Sequence, residues 1–146
     1  MICIEQLPEA SDLEMASVKT VRLPMTSEDR ARVRRRLTAP DGRELALALP
    51  TGTKLHPGQV LHLASDCVYV VEAASEKVLV IQPRSATEAA FAGHLVGNMH
   101  RDIDLQGEGI AVLYDEVLED RLRRAHLVIE HAERPFHGNA GGGHSH

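Results

Sequence analysis

The stretch "KVLVIQPRSATEAAFAGHLVGNMHRDIDL", residues 77–105, changes its period midway, and that change decides the fold. Val78 to Ile81 form a short unbroken apolar run, the pattern of a buried strand. Ser85-Ala86-Thr87-Glu88 then matches a capping box, in which the serine side chain and the glutamate three residues later satisfy orphan backbone N–H groups, so a helix opens here. Gly97 can close that helix, since glycine is the usual residue just past a helix end. "RDIDL", residues 101–105, alternates as a short strand. His100 is left between helix and strand, where a turn rarely needs an imidazole.

Working toward the C-terminus, "GIAVL" (109–113) is a further strand, with Gly107 and Gly109 in the connection before it. Asp115 can cap a helix whose last turn carries Arg121, Arg123 and Arg124, cations that favour a helix C-terminus. "HLVIEHA" (126–132) supplies a last strand. The order from 77 to 133 is β-α-β-β-α-β, which predicts a ferredoxin-like domain, two helices on one face of a four-stranded antiparallel sheet, over residues 75–136. Beyond Phe136 the chain reads "HGNAGGGHSH", whose glycines offer no packing surface, so residues 137–146 are expected to be a flexible, histidine-bearing tail.

Toward the N-terminus, residues 1–74 show short β-like runs: "SVKTVRLP", "ARVRRRL", "RELALALP", "VLHLA" and "CVYVVEA". Turn signals such as Ala39-Pro40-Asp41-Gly42 and His56-Pro57-Gly58 separate them, predicting a small all-β domain. The arginines at 30, 32, 34, 35 and 36 fit a strand there, with Val33 and Leu37 inward and Arg32, Arg34 and Arg36 on a solvated face. The fold class is therefore α+β, in two small domains and a tail.

A formal charge of −5 over 146 residues argues against a nucleic-acid binder despite that basic run. No apolar stretch approaches the ~20 residues of a membrane span and no signal-peptide pattern opens the chain, so a cytoplasmic protein is expected. Cys3 and Cys67 lie far apart and outside any Cys-x-x-Cys spacing, which indicates free thiols. Aromatic residues make up only 3%, yet there are nine histidines, and His126, His131, His137, His144 and His146 fall in the last 21 residues.

A fixed His100 and a tail bearing His144-x-His146 make sense together as metal ligands, because neutral imidazole suits nickel, copper and zinc. A twofold axis near His100 would bring a second imidazole alongside from a partner copy. The spacing also fits plainer readings: a turn histidine is more often structural, and His56, His62, His126 and His131 look like ordinary strand or loop residues, with His94 near a helix end. Asp102 and Asp104 could serve with His100 as ligands or bases of a metal-dependent hydrolase, although alternating solvent-facing acids are the commoner explanation. A third alternative is an adaptor whose β domain binds extended peptides by strand addition, with no need of metal.

"GNMH" after a helix, the "YDEVL" helix start, the "ERPF" strand exit, the glycine tail with its histidines and "DGRELALALPTGTKLHPGQVL" together resemble the urease accessory protein UreE, a family of nickel metallochaperones. The resemblance covers most of the chain. It implies an N-terminal peptide-binding-like domain, a C-terminal ferredoxin-like metal-binding domain, and a homodimer that bridges Ni2+ through the histidine of the Gly-Asn-x-His motif, which is His100. It also implies that His144 and His146 finish the coordination shell and that the cargo passes to an accessory GTPase and the urease apoprotein. Zn2+ or Cu2+ can bind the same nitrogen ligands. Met99 stands where the family commonly has arginine, and the tail has few histidines, which speaks against storage of several ions.

Overall fold

The computed structural model describes residues 1–8 and 19–138, so His144 and His146 lie outside the described residues. The chain divides into two compact units, Met1–Ala73 and Ala74–His146. None of the described helices is long and apolar enough to cross a membrane.

The first unit holds β1 (Ile2–Ile4), β2 (Lys19–Met25), α1 (Ser27–Ala31), β3 (Arg34–Thr38), β4 (Glu44–Ala48), β5 (Val60–Leu63) and β6 (Cys67–Ala73). They form two three-stranded sheets, β1-β4-β3 and β2-β6-β5, whose β1–β4 and β2–β6 pairs are parallel. The two-residue period sorts the chain between core and water: Val21, Leu23 and Met25 are buried while Thr20, Arg22 and Pro24 are exposed. Leu45 and Leu47 meet them in one core with Ile4, Leu61, Tyr69 and Val71.

An all-β reading of this unit misses α1. Thr26 caps it in a complete capping box, with the Asp29 N–H donating to Thr26 Oγ1 and the Thr26 N–H to Asp29 Oδ2, both at 3.1 Å. The box uses Asp in place of the usual Glu or Gln, which hides it from a pattern search. The arginine run is split as a result. Arg30 is helical and only 4% exposed, its Nη1 donating to the Met25 carbonyl at 2.7 Å. Arg34 and Arg36 point outward on β3 as expected, and Arg35 turns inward to Asp29 at 3.2 Å. Charge along β3, which lies at the edge of its sheet, discourages pairing with another chain.

The second unit holds β7 (Ser75–Ile81), α2 (Ala86–Asn98), β8 (Ile110–Leu113), α3 (Glu116–Arg124) and β9 (Ile129–Pro135), with an antiparallel sheet in the order β8-β7-β9. Both helices cover one face: Ala92, Val96, Leu118 and Leu122 pack on Leu79, Ile81 and Val112. Val78 and Val80 face the other way and are sealed by Phe136, which is 2% exposed. Burial of that ring is worth about 1.5–3 kcal/mol and fixes the chain just before His137. With both faces of β7 covered, the unbroken apolar run at 78–81 has its cause.

Two expectations need correction. "RDIDL" does not form a strand but contributes a single bridge, Asp104 with Ala111. The reason is local: Asp104 Oδ1 accepts the N–H of Gln106 at 2.9 Å, a side-chain turn that bends the chain where a ladder would have to continue. Gly109 completes the bend at φ +70, where a Cβ would lie 2.6 Å from the Ile81 carbonyl oxygen. Residues 137–146 are also not a free tail from their first residue, because His137 and Gly138 are held against the body of the unit.

Candidate metal centre

α2 is launched by Ser85, whose hydroxyl accepts the Glu88 N–H at 3.0 Å. Glu88 does not return the bond to Ser85, as a full box requires, but reaches the Arg84 N–H at 3.2 Å and its guanidinium. At the other end Gly97 does not close the helix and lies within its last turn. The chain turns at His100, φ +57, with the His100 N–H donating to the Gly97 carbonyl at 2.9 Å and the Arg101 N–H to that of Val96 at 3.2 Å. These paired bonds are the Schellman ending, and its left-handed position, normally glycine, is held by a histidine.

That conformation costs an L-residue roughly 1–2 kcal/mol relative to right-handed geometry, although histidine is among the side chains enriched there. His100 is held from both sides, since Met99 before it and Ile103 after it pack on the unit's core. Its imidazole is exposed, and among the described residues neither ring nitrogen takes a hydrogen bond. The turn thus presents an exposed imidazole whose ring nitrogens are uncommitted among the described residues.

The neighbouring polar groups are already engaged. Arg101 pairs with Asp115, and Asp115 Oδ1 also caps α3 by accepting the N–H groups of Val117 at 2.8 Å and Leu118 at 3.1 Å. The Leu118 bond leads the contributions that hold the Asp115 carboxyl below its ordinary pKa, with the Val117 bond and Arg101 adding to it against some desolvation. Asp104, expected to face solvent, is 1% exposed. Desolvation is the largest influence on it and acts upward, but bonds from Gln106 and His137 outweigh it, so its pKa lies below the usual carboxylate value. Asp102 is half-buried.

The structure therefore does not gather His100, Asp102 and Asp104 into a site, and among the described residues no three metal-binding side chains converge. The other histidines have separate occupations: His94 Nε2 lies 3.1 Å from Asn98 Nδ2, and His131 pairs with Glu119 at 2.6 Å. His126 occupies a second Schellman ending. Sequence reasoning missed the bond between Asp104 and His137. Its only advance signal is Phe136, one of two phenylalanines, placed where a free tail would not hold a large apolar ring.

Comparison with known proteins covers nearly the whole chain. The family model for the UreE urease accessory protein, N-terminal domain, matches residues 4–74, and that for its C-terminal domain matches residues 76–146. A urease accessory protein UreE of Synechococcus sp. is 57% identical over 129 residues, which is 88% of this chain and 87% of the relative. One from Deinococcus radiodurans is 48% identical over 118 residues, 81% of this chain and 76% of the relative. One from Ralstonia nicotianae is 37% identical over 127 residues, 85% of this chain and 59% of the relative.

Proposed function

The chain belongs to the family of urease accessory protein UreE, accessory proteins and not enzymes, and from that premise we propose that it is a cytoplasmic nickel carrier for assembly of the urease active site. The observation that carries this reading is the His100 turn: an exposed imidazole without a hydrogen-bond partner among the described residues, set in a left-handed position where glycine would be less strained. The second left-handed histidine, His126, sits in a turn that is tied down through its carbonyl to Arg84, so the exposed setting of His100, not the strain alone, singles it out.

One imidazole per chain is too few for a metal, and a homodimer formed through the second units would place His100 beside its symmetry mate. His144 and His146 then complete the shell from the tail. From Gly138 to His144 the chain can extend about 20 Å, enough reach for ligands that join and leave without unfolding anything. Such lability suits transfer to an accessory GTPase and the urease apoprotein. Zinc or copper would compete for the same nitrogens.

The second unit is read as the ferredoxin-like plan, over 75–136, with its second strand reduced to the Asp104 bridge. The first, over 1–74, is read as the peptide-binding-like domain. Nickel titration of the intact protein and of a variant ending at Gly143, with mass measured at each step, tests the carrier. One tightly held ion per two chains, released faster by the shortened variant, is expected. A monomer that stays monomeric with nickel, or equal release from both proteins, would refute it.

A further inference from the structure

The arginine run of the first unit divides into engaged and unengaged side chains. Arg30 is buried and donates to the Met25 carbonyl, and Arg35 pairs with Asp29 at 3.2 Å. Arg32, Arg34 and Arg36 are exposed, and none of them takes a hydrogen bond or ion pair among the described residues. Acids of the same unit are engaged with other arginines, Asp29 with Arg35 and both Asp41 and Asp66 with Arg43.

The strand register fixes what stands beside the unengaged row. Ala48 lies opposite Arg34 and Ala46 opposite Arg36 across the β3–β4 ladder, and Cys3 lies opposite Ala46 across β1–β4. The acid of β4 on this side, Glu44, stands opposite Thr38. Opposite charges placed across a ladder stabilise a sheet, and here small neutral side chains hold those places. Arg32 continues the alternation in extended backbone just before β3, at φ −87 and ψ 118. Successive positions in the row are therefore roughly 6–7 Å apart, the two-residue repeat of an extended chain. In a chain of net charge −5, this is a local row of cations beside a low floor of alanines.

We propose that this face of the first unit is a docking surface for an extended acidic segment of a partner protein, laid along β3 with a carboxylate at every second residue against Arg32, Arg34 and Arg36. Sign and repeat both argue for that occupant, since a two-residue period matches an extended peptide and not a helix. The charge that discourages indiscriminate pairing at β3 becomes an attraction for an acidic strand. Exposed ion pairs are individually weak and screened by salt, so the docking is reversible and strongest at low ionic strength. The proposal rests on the peptide-binding-like reading of the first unit and is independent of nickel.

The test is fluorescence anisotropy of the full chain at low salt with three labelled peptides. One alternates glutamate with threonine, one has the same residues with the glutamates in a single block, and one replaces every glutamate of the first by glutamine. The alternating acidic peptide should bind more tightly than the other two and should weaken as salt is raised. Arg34→Glu combined with Arg36→Glu should lower its affinity about tenfold or more. Arg121→Glu, at an exposed arginine of α3, should leave it unchanged. The comparison of the three peptides on the wild type decides even where the double variant folds poorly. Equal affinity for the alternating and blocked acidic peptides, or undiminished affinity in the folded double variant, would overturn the proposal. Binding of the glutamine peptide as tightly as the acidic one would overturn it while leaving the peptide-binding-like reading in place, and binding of none of the three would strike both.

Discussion

The two long helices of the second unit end in the same way and for different ends. At α2 the left-handed position is His100, φ +57, and at α3 it is His126, φ +62. The bonds correspond one for one: His100 to Gly97 and Arg101 to Val96 in the first, His126 to Arg123 at 3.0 Å and Leu127 to Leu122 at 3.2 Å in the second. The surroundings differ. The His126 carbonyl accepts Arg84 Nη2 at 3.0 Å, and buried Leu127 follows it, so that turn is tied to the start of α2 and leads into β9. The His100 turn is followed by exposed Arg101, whose ion pair with Asp115 braces the segment from outside. Identical backbone strain thus carries no function by itself, and its setting decides what it is for.

Glycine at each turn breaks the comparison most sharply. His100→Gly should lower nickel affinity by more than the ~100-fold that loss of an outer-shell partner can cost, since a ligand itself is removed. His126→Gly should leave nickel affinity as it is. Both should raise stability toward unfolding in denaturant by about 1 kcal/mol, because each relieves a left-handed L-residue. Destabilisation by His100→Gly would mean that its side chain packs in a way the exposed turn does not suggest.

Next in size is the cap. Asp115→Ala should cost about 1 kcal/mol by removing the N-cap of α3. Asp115→Asn keeps an acceptor for the cap and loses only a partly exposed ion pair, so a smaller loss is expected in the same denaturant measurement. Equal losses would show that the Arg101 pair, not the cap, matters at this position.

The smallest effect is on pH dependence of the fold. Asp104 has a folded pKa below its unfolded value, so its contribution is fully present above the unfolded value near ~3.9 and is lost as pH falls through the lower folded one. Asp115 and Glu119 shift the same way, the latter chiefly through His131 and then Arg123. Stability should hold steady from pH 7 to about 5 and decline below about 4. Nickel affinity should fall earlier, between about pH 7 and 5.5, because protons compete with the metal for imidazole nitrogens. Thermal melts of the metal-free protein across that range separate proton competition from unfolding, and coincident losses would contradict the histidine site.

Much of this architecture was legible in the residues. The apolar run at 78–81, Ser85 before α2 and Asp115 before α3 mark their elements because each signal is local. The failures share a cause, which is that side chains acted outside their expected local role. Glu88 went to Arg84, Asp29 built a capping box that the usual residue pattern does not describe, and Asp104 turned inward to Gln106 and His137. A helix-ending histidine is likewise hidden by the nearer Gly97, since the pattern favours glycine and only the backbone reveals which residue takes positive φ. His100 could be singled out as a residue without a structural task, whereas the bond between His137 and Asp104 could not be foreseen, because the partners lie 33 positions apart.

Native mass spectrometry of the wild type, His126→Gly and His100→Gly, each with one equivalent of nickel per chain, tests the central claim most directly. The account predicts a dimer retaining one tightly bound nickel for the first two proteins and a dimer without it for His100→Gly. Retention of that ion by His100→Gly, or its loss from both glycine variants alike, would contradict a carrier site built on the α2 turn.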